Sequence, residues 1–369
     1  MAITILEKEY AGETYYEMAS DALCYRFTYS GGVVKSFWES NGITTSGFNL
    51  YAGTLAECLA EMSSKGLTPI TPTRLSFECI VDSGAGKSFQ LPLESGGTYD
   101  FDVWTKKTTD KEFLGDPVSI DTWNQAETDL SFDEDASYNI KIEGTIKGFR
   151  FNNGGDKSKL LNIQSWGSLN LGNNNGYFYG CNNLIVTAFD KLDLTDTTTF
   201  YRAFRDCASL TSFIDGWNCM DTSSITNMYQ AFRGCTNFNA DISGWDVSSV
   251  TDFTNMFSLC SAFNVDISGW DTSSATTFMG MFNACVAFDQ DISGWNVESV
   301  TDMALMFNGA TLSTANYNPL LIAWSAQSVQ SGVTFSAGSS KYDSGDPTTA
   351  RAVLVGAPNN WTITDGGQV

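Results

Sequence analysis

The chain has 369 residues, of which 42% are apolar, 13% aromatic and only 17% charged, with a formal charge of −22 and no histidine. That length allows two or three cores of ordinary domain size, while the acidity opposes nucleic-acid binding, whose affinity rests on Lys and Arg displacing counterions. Lacking histidine, the chain has neither the commonest general base nor the commonest transition-metal ligand, and a surface rich in Ser, Thr, Asn and Gly suits an extracellular or virion setting.

The opening residues lack the basic and apolar regions of a secretory signal. No apolar run reaches the roughly 18 residues that span a bilayer, so no membrane insertion is expected. Residues 1–67 read as a small α+β module. Segments 22–29 and 33–38 form a hairpin across Ser30-Gly31-Gly32, and Thr54 with Glu57 makes a capping box for a helix. Leu55, Cys58, Leu59 and Met62 give that helix one apolar face, and Gly66 stops it. The two prolines of 68–73 mark a stiff linker. Residues 74–148 read as a β-sandwich, with strands at 76–81, 98–103 and 137–142 separated by Gly and Ser turns. Gly84-Ala85-Gly86-Lys87-Ser88 invites a phosphate-loop reading, but Val81 stands where its first glycine belongs, and the segment reads as a plain turn.

From residue 149 to 311 the sequence repeats. Asp241-Ile242-Ser243-Gly244-Trp245 recurs at Asp266 and again at Asp291, 25 residues apart each time. Phe232 with Cys235, Phe257 with Cys260, and Phe282 with Cys285 keep the same phase. Phe307 with Ala310 continues the series, and looser copies at Phe204 with Cys207 and Phe178 with Cys181 bring the count to six coils. Within a unit, Phe253, Met256, Phe257 and Cys260 recur at helical spacing behind a Ser249/Asp252 capping box. Phe263, Val265 and Ile267 then alternate with polar residues as a strand does. A coil of this size cannot bury its own apolar face, so stability is expected from stacking.

The run from Phe263 to Phe307 resembles the BspA-like leucine-rich-repeat surface proteins of bacteria and bacteriophage virions. Residues 312–369 are similar to the segment that caps such arrays, and 74–148 resemble a PKD-like sandwich, with Trp104-Thr105-Lys106-Lys107 where that family has a Trp-Gly-Asp-Gly turn. The resemblance implies a leucine-rich-repeat-like solenoid of about six coils, built of a short helix and a strand each. It also implies adhesion or recognition rather than catalysis.

Several columns are candidate sites. The cysteines at 181, 207, 235, 260 and 285 read as a buried packing column, with cross-linking as the alternative. Trp217, Trp245, Trp270 and Trp295 read as core, with an exposed stacking platform for sugars as the alternative. Asp241, Asp266 and Asp291 form a like-charge ladder, expected to be solvated or capped, or bridged by weakly bound Ca²⁺; no other cofactor is expected. Asp246 and Asp271, with Trp245, Trp270 and Trp295, form the candidate ligand surface.

The function expected from sequence is that of a non-enzymatic bacteriophage virion protein, a head decoration, fibre or tail-associated component. In this reading it is present in many copies or as a homo-oligomer. Residues 1–67 would dock on other virion proteins, and the repeats would meet a protein or glycan of the host surface. A bacterial cell-surface adhesin is the alternative. A glycoside hydrolase needs two converging carboxylates, and no pair stands out.

Overall fold

The computed structural model describes the strands within 3–10, 13–20, 23–30, 33–35 and 48–53, then residues 76–113, 115–188, 190–211, 217 and 220–369. The first strands, β1 (Ile3–Tyr10), β2 (Glu13–Ser20), β3 (Leu23–Ser30), β4 (Val33–Lys35) and β5 (Phe48–Gly53), form one antiparallel sheet in the order β4-β3-β2-β1-β5. The expected hairpin is present as β3 against β4, with Ser30 opposite Val33. The expected helix at 54–66 and the linker at 68–73 lie outside the described residues.

Next comes a seven-stranded mixed sheet. Alternation buries Phe77, Cys79 and Val81 of β6 (Phe77–Asp82), and a short β7 (Ser88–Gln90) follows. Strand β8 (Leu93–Lys107) continues straight through Trp104–Lys107, where the resemblance called for a turn. After β9 (Val118–Ile120) and β10 (Asp129–Ser131), β11 (Ser137–Phe149) takes the central place, with Ile140 and Ile142 fully buried between β6 and β8. Gly144 sits at φ 124° opposite Phe101, where a Cβ would collide with the β8 backbone. Strand β12 (Leu160–Ser165) pairs with the free side of β6, β13 (Leu169–Asn170) with β11, and β14 (Ile185–Val186) runs parallel to β12. The sheet therefore continues past residue 148 into the first repeat, and Phe178 packs on both Phe149 and Trp166. Among the described residues no sandwich of two comparable sheets forms here. A two-stranded ribbon of β7 and β10 accompanies the one large sheet.

The repeats correct the sequence reading most. Both α-helices among the described residues, α1 (Thr314–Ser325) and α2 (Asp346–Val355), lie beyond the repeats. From 190 to 311 the described backbone is turns and single-residue bridges, so the expected leucine-rich-repeat solenoid with a helix and a strand per coil is not what forms. Successive coils join by parallel bridges along Thr199, Asn227, Asp252, Thr277 and Asp302. The segment expected to be a helix is a tandem of tight turns. The N–H groups of Met228, Gln230, Phe232 and Gly234 donate to the carbonyls of Asp252, Thr254, Met256 and Ser258 in the next coil, at 2.9, 2.9, 3.0 and 2.8 Å. Between them, the N–H groups of Ala231, Arg233 and Cys235 close turns on residues three before them. A helix would have consumed all of these donors internally.

This alternation needs a left-handed residue at every fourth place, and φ is positive at Gln230 and Gly234, Asn255 and Leu259, Gly280 and Ala284, and Leu305 and Gly309. A four-residue turn repeat buries the same i, i+3, i+4, i+7 set as a helix does, which is why the stripe Phe253, Met256, Phe257, Cys260 is fully buried without being helical. Inside, Phe204, Phe232, Phe257, Phe282 and Phe307 stack coil on coil at 5.3 to 6.0 Å with rings within 18° of parallel. At the far end, strands β15 (Thr334–Ser336) and β16 (Thr362–Thr364) pair in parallel and extend the bridge column through Met303 and Phe335.

Candidate recognition faces

In each coil the repeated aspartates follow the turn tandem along the chain. Asp241, Asp266 and Asp291 are exposed, and each Oδ1 accepts the N–H of the serine two residues on, Ser243, Ser268 or Ser293, at 2.9 to 3.0 Å. Asp246 and Asp271 repeat the arrangement with Ser248 and Ser273, both at 3.0 Å. These are Asx turns, in which the carboxylate takes the place of a backbone carbonyl. The amide and hydroxyl of Ser268 hold the Asp266 carboxyl below the usual carboxylate range, and those of Ser273 do the same for Asp271. Among the described residues no group of three acidic or thiol side chains converges as a metal site would require. In each of these aspartates Oδ1 serves the turn.

The tryptophan platform is corrected. Trp245, Trp270 and Trp295 are at most 3% exposed, and each indole N–H reaches back to a carbonyl 28 residues earlier, on Trp217, Ile242 and Ile267, at 2.6, 3.2 and 3.1 Å. Trp270 and Trp295 stack at 6.3 Å, nearly parallel. The ring turns inward because the indole then satisfies a carbonyl that the coil interior would otherwise leave unpaired. A sealed ring presents no face to a sugar, so of the candidate ligand surface only Asp246 and Asp271 lie outside.

The cysteines are core. Cys207, Cys235, Cys260 and Cys285 are free and buried, and each thiol contacts a carbonyl of the preceding coil, on Phe178, Phe204, Phe232 and Phe257, at 2.7 to 3.1 Å. Burial pushes the Cys285 thiol up to about 12, so it stays protonated and unreactive at neutral pH.

Side-chain ladders finish the outer surface. Thr226, Thr251, Thr276 and Thr301 each donate backbone N–H and hydroxyl to the carbonyl of the threonine one coil earlier, at 2.9 to 3.3 Å. Asn239 Oδ1 accepts the N–H of Asn264, whose Oδ1 accepts that of Asp289, whose Oδ1 in turn accepts that of Ser313.

One cluster was missed from sequence. Tyr201 and Tyr229 stack at 4.7 Å and 11°, with the Arg202 guanidinium 4.8 Å over the first ring and 5.8 Å over the second. Arg205 lies 4.8 Å over Tyr179, and Arg202 Nε and an Arg205 terminal nitrogen both donate to Gln230 Oε1, at 3.1 and 2.6 Å. The signal available was the confinement of arginine to the early coils, since neither Lys nor Arg occurs between Arg233 and Lys341.

With this geometry in place, residues 149–220 and 198–324 match a family profile described as "Mycoplasma protein of unknown function, DUF285". The repeat part of the chain is thus similar to a bacterial family of unassigned function. No curated protein and no solved structure matched the chain.

Proposed function

We propose that this is a non-enzymatic display protein of a bacteriophage virion, whose coil stack makes contact with a host or environmental surface while residues 1–67 dock on the particle. The observation that carries the reading is the division of labour in each coil. The coils are joined chiefly by backbone bonds and sealed aromatic columns, so outward side chains outside the threonine and asparagine ladders can differ from coil to coil without loss of the stack. Such a scaffold suits recognition by side chains on a rigid frame. Many copies on one particle would multiply a weak contact. The sequence resemblance to surface proteins found on phage particles supports the location.

A second reading, a bacterial cell-surface adhesin, is favoured by the similarity of the repeats to a mycoplasma family. Mass spectrometry of gradient-purified virions and of host envelopes separates the two. The chain is expected beside capsid or tail proteins, and recovery from envelopes alone replaces the first reading with the second. Labelled protein is expected to adhere to host cells without degrading their glycans; release of sugar fragments would instead establish a hydrolase.

A further inference from the structure

The early coils hold a concentrated positive face in a chain that is otherwise acidic. Asp206 N–H donates to the Arg233 carbonyl at 2.7 Å, and Arg202 N–H to the Tyr229 carbonyl at 2.9 Å. This pairing sets Arg205 level with Arg233, and Arg202 level with Gln230, in adjacent coils about 4.8 Å apart. Arg205 and Arg233 share the Asp206 carboxylate, which accepts from Arg205 Nε at 3.3 Å and stands 3.9 Å from Arg233. Gln230, 8% exposed, and the stacked pair Tyr201 and Tyr229 hold Arg202 and Arg205 in place. The side chains of Arg205 and Arg233 remain 18% and 29% exposed.

We propose that the face made by Arg202, Arg205, Arg233, Tyr201 and Tyr229 binds the carboxylate of an acidic sugar within a sparsely charged glycan. This rests on the adhesion reading above and names its ligand class. A guanidinium offers paired donors in a planar fork that matches a carboxylate. Because the rings and Gln230 already order two of the three forks, little side-chain entropy remains to be lost on binding. Two observations narrow the anion. The chain carries a net charge of −22, with nine acids and no base between residues 234 and 340, so a dense polyanion such as a nucleic acid or heparin meets repulsion beyond the patch. One face of each stacked tyrosine is taken by the other ring, and Arg202 lies within 5.8 Å of both centroids, so a nucleobase meets less ring surface than an open aromatic platform offers. An isolated sugar carboxylate meets neither obstacle.

The test is calorimetric titration of the full-length protein at low salt with a hyaluronan octasaccharide, its carboxyl-reduced form, a chondroitin sulfate octasaccharide and maltooctaose. The hyaluronan probe, whose only charges are glucuronate carboxylates, is expected to bind at least tenfold more tightly than its carboxyl-reduced form, with maltooctaose silent. Arg233→Gln, which gives up only a long contact to Asp206, is expected to weaken binding about tenfold with little change in melting temperature. Arg202→Gln is expected to weaken it similarly, and Asp291→Asn is expected to leave it unchanged. The proposal is overturned if the parent and carboxyl-reduced probes bind alike or not at all, if both arginine variants keep wild-type affinity, or if the sulfated chondroitin probe binds more tightly than hyaluronan. Adhesion of labelled protein to host cells without oligosaccharide binding removes this inference alone, whereas loss of adhesion removes the reading on which it rests.

Discussion

The two sides of a coil teach different things about how the repeats hold together. On the tandem side, Met228, Gln230, Phe232 and Gly234 hand every second backbone N–H to the next coil, and Phe232 lies in a continuous ring stack. On the aspartate side, Asp241 and Asp246 bond to serines two residues away within their own coil. The tandem joins coils through its backbone, whereas these aspartate carboxylates serve turns within their own coil. Truncating a side chain to alanine should therefore cost very different amounts on the two sides.

The largest contrast is expected from truncating the ring stack. Phe257 is fully buried and packs against Phe232, Phe263 and Phe282 at 5.8, 4.0 and 6.0 Å. Phe257→Ala should lower stability by about 3–5 kcal/mol, whereas Asp246→Ala, which loses one exposed Asx turn, should lose about 0.5–1 kcal/mol, the scale of a single side-chain cap. Urea unfolding followed by tryptophan fluorescence checks both, and equal losses would remove the distinction between the sides.

Sharper still is a pair of substitutions at one structural position. Gly280 and Leu305 are equivalent residues of adjacent coils, with φ of 61° and 59°. A Cβ on Gly280 would collide with the Asn255 amide. Gly280→Ala should therefore destabilise by about 2 kcal/mol, because an L-residue in the left-handed region costs about 1–2 kcal/mol before any clash. Leu305, 45% exposed, gives up little burial, and Leu305→Gly should be neutral or stabilising by up to about 1 kcal/mol. A helix demands the opposite signs, since replacing glycine by alanine stabilises a helix interior by about 1 kcal/mol. Opposite shifts in thermal unfolding midpoint would thus decide between turn tandem and helix.

A smaller effect is expected where the tryptophan column links coils. Trp270→Phe keeps a ring against Trp295 but leaves the Ile242 carbonyl without its indole donor, which should cost about 1 kcal/mol. Enhanced quenching of the remaining tryptophans by iodide would show instead that the column opens, and would restore an exposed platform.

The same contrast explains what could be read from sequence. The period, the buried identity of Phe257 and Cys260 and the strands around Phe77, Tyr99 and Ile140 were legible because burial imposes a pattern on side chains. The conformation of the tandem was not, since a four-residue turn repeat and a helix bury the same spacing. The hint lay in Gly234, Gly280 and Gly309, which recur inside the supposed helix where glycine is unfavourable. Asp241, Asp266 and Asp291 were legible as turn formers because an Asx turn is local. The Arg202–Tyr229 cluster was not, because its members come together only through a 28-residue offset between two coils.

The smallest expected effect concerns the aspartate side itself and asks which force governs it. At Asp266, repulsion from neighbouring carboxylates would raise the pKa, while the donors of Ser268 favour the charged form and lower it. At Asp266 the donors of Ser268 prevail and the carboxyl titrates below its ordinary value. The corresponding stability is present in full above the unfolded pKa of about 3.9 and is lost as pH falls through the lower folded value. Because Asp266 is exposed, solvent screening keeps the gain to a few tenths of a kcal/mol. Asp266→Asn keeps the turn acceptor but not the charge, so its deficit relative to the parent should be that small at pH 7 and vanish in acid. Carbon-detected NMR titration of the Asp266 carboxyl gives the direct reading: a midpoint above 3.9 would mean that repulsion along the ladder outweighs the serines, and a cation would then have a reason to bind there.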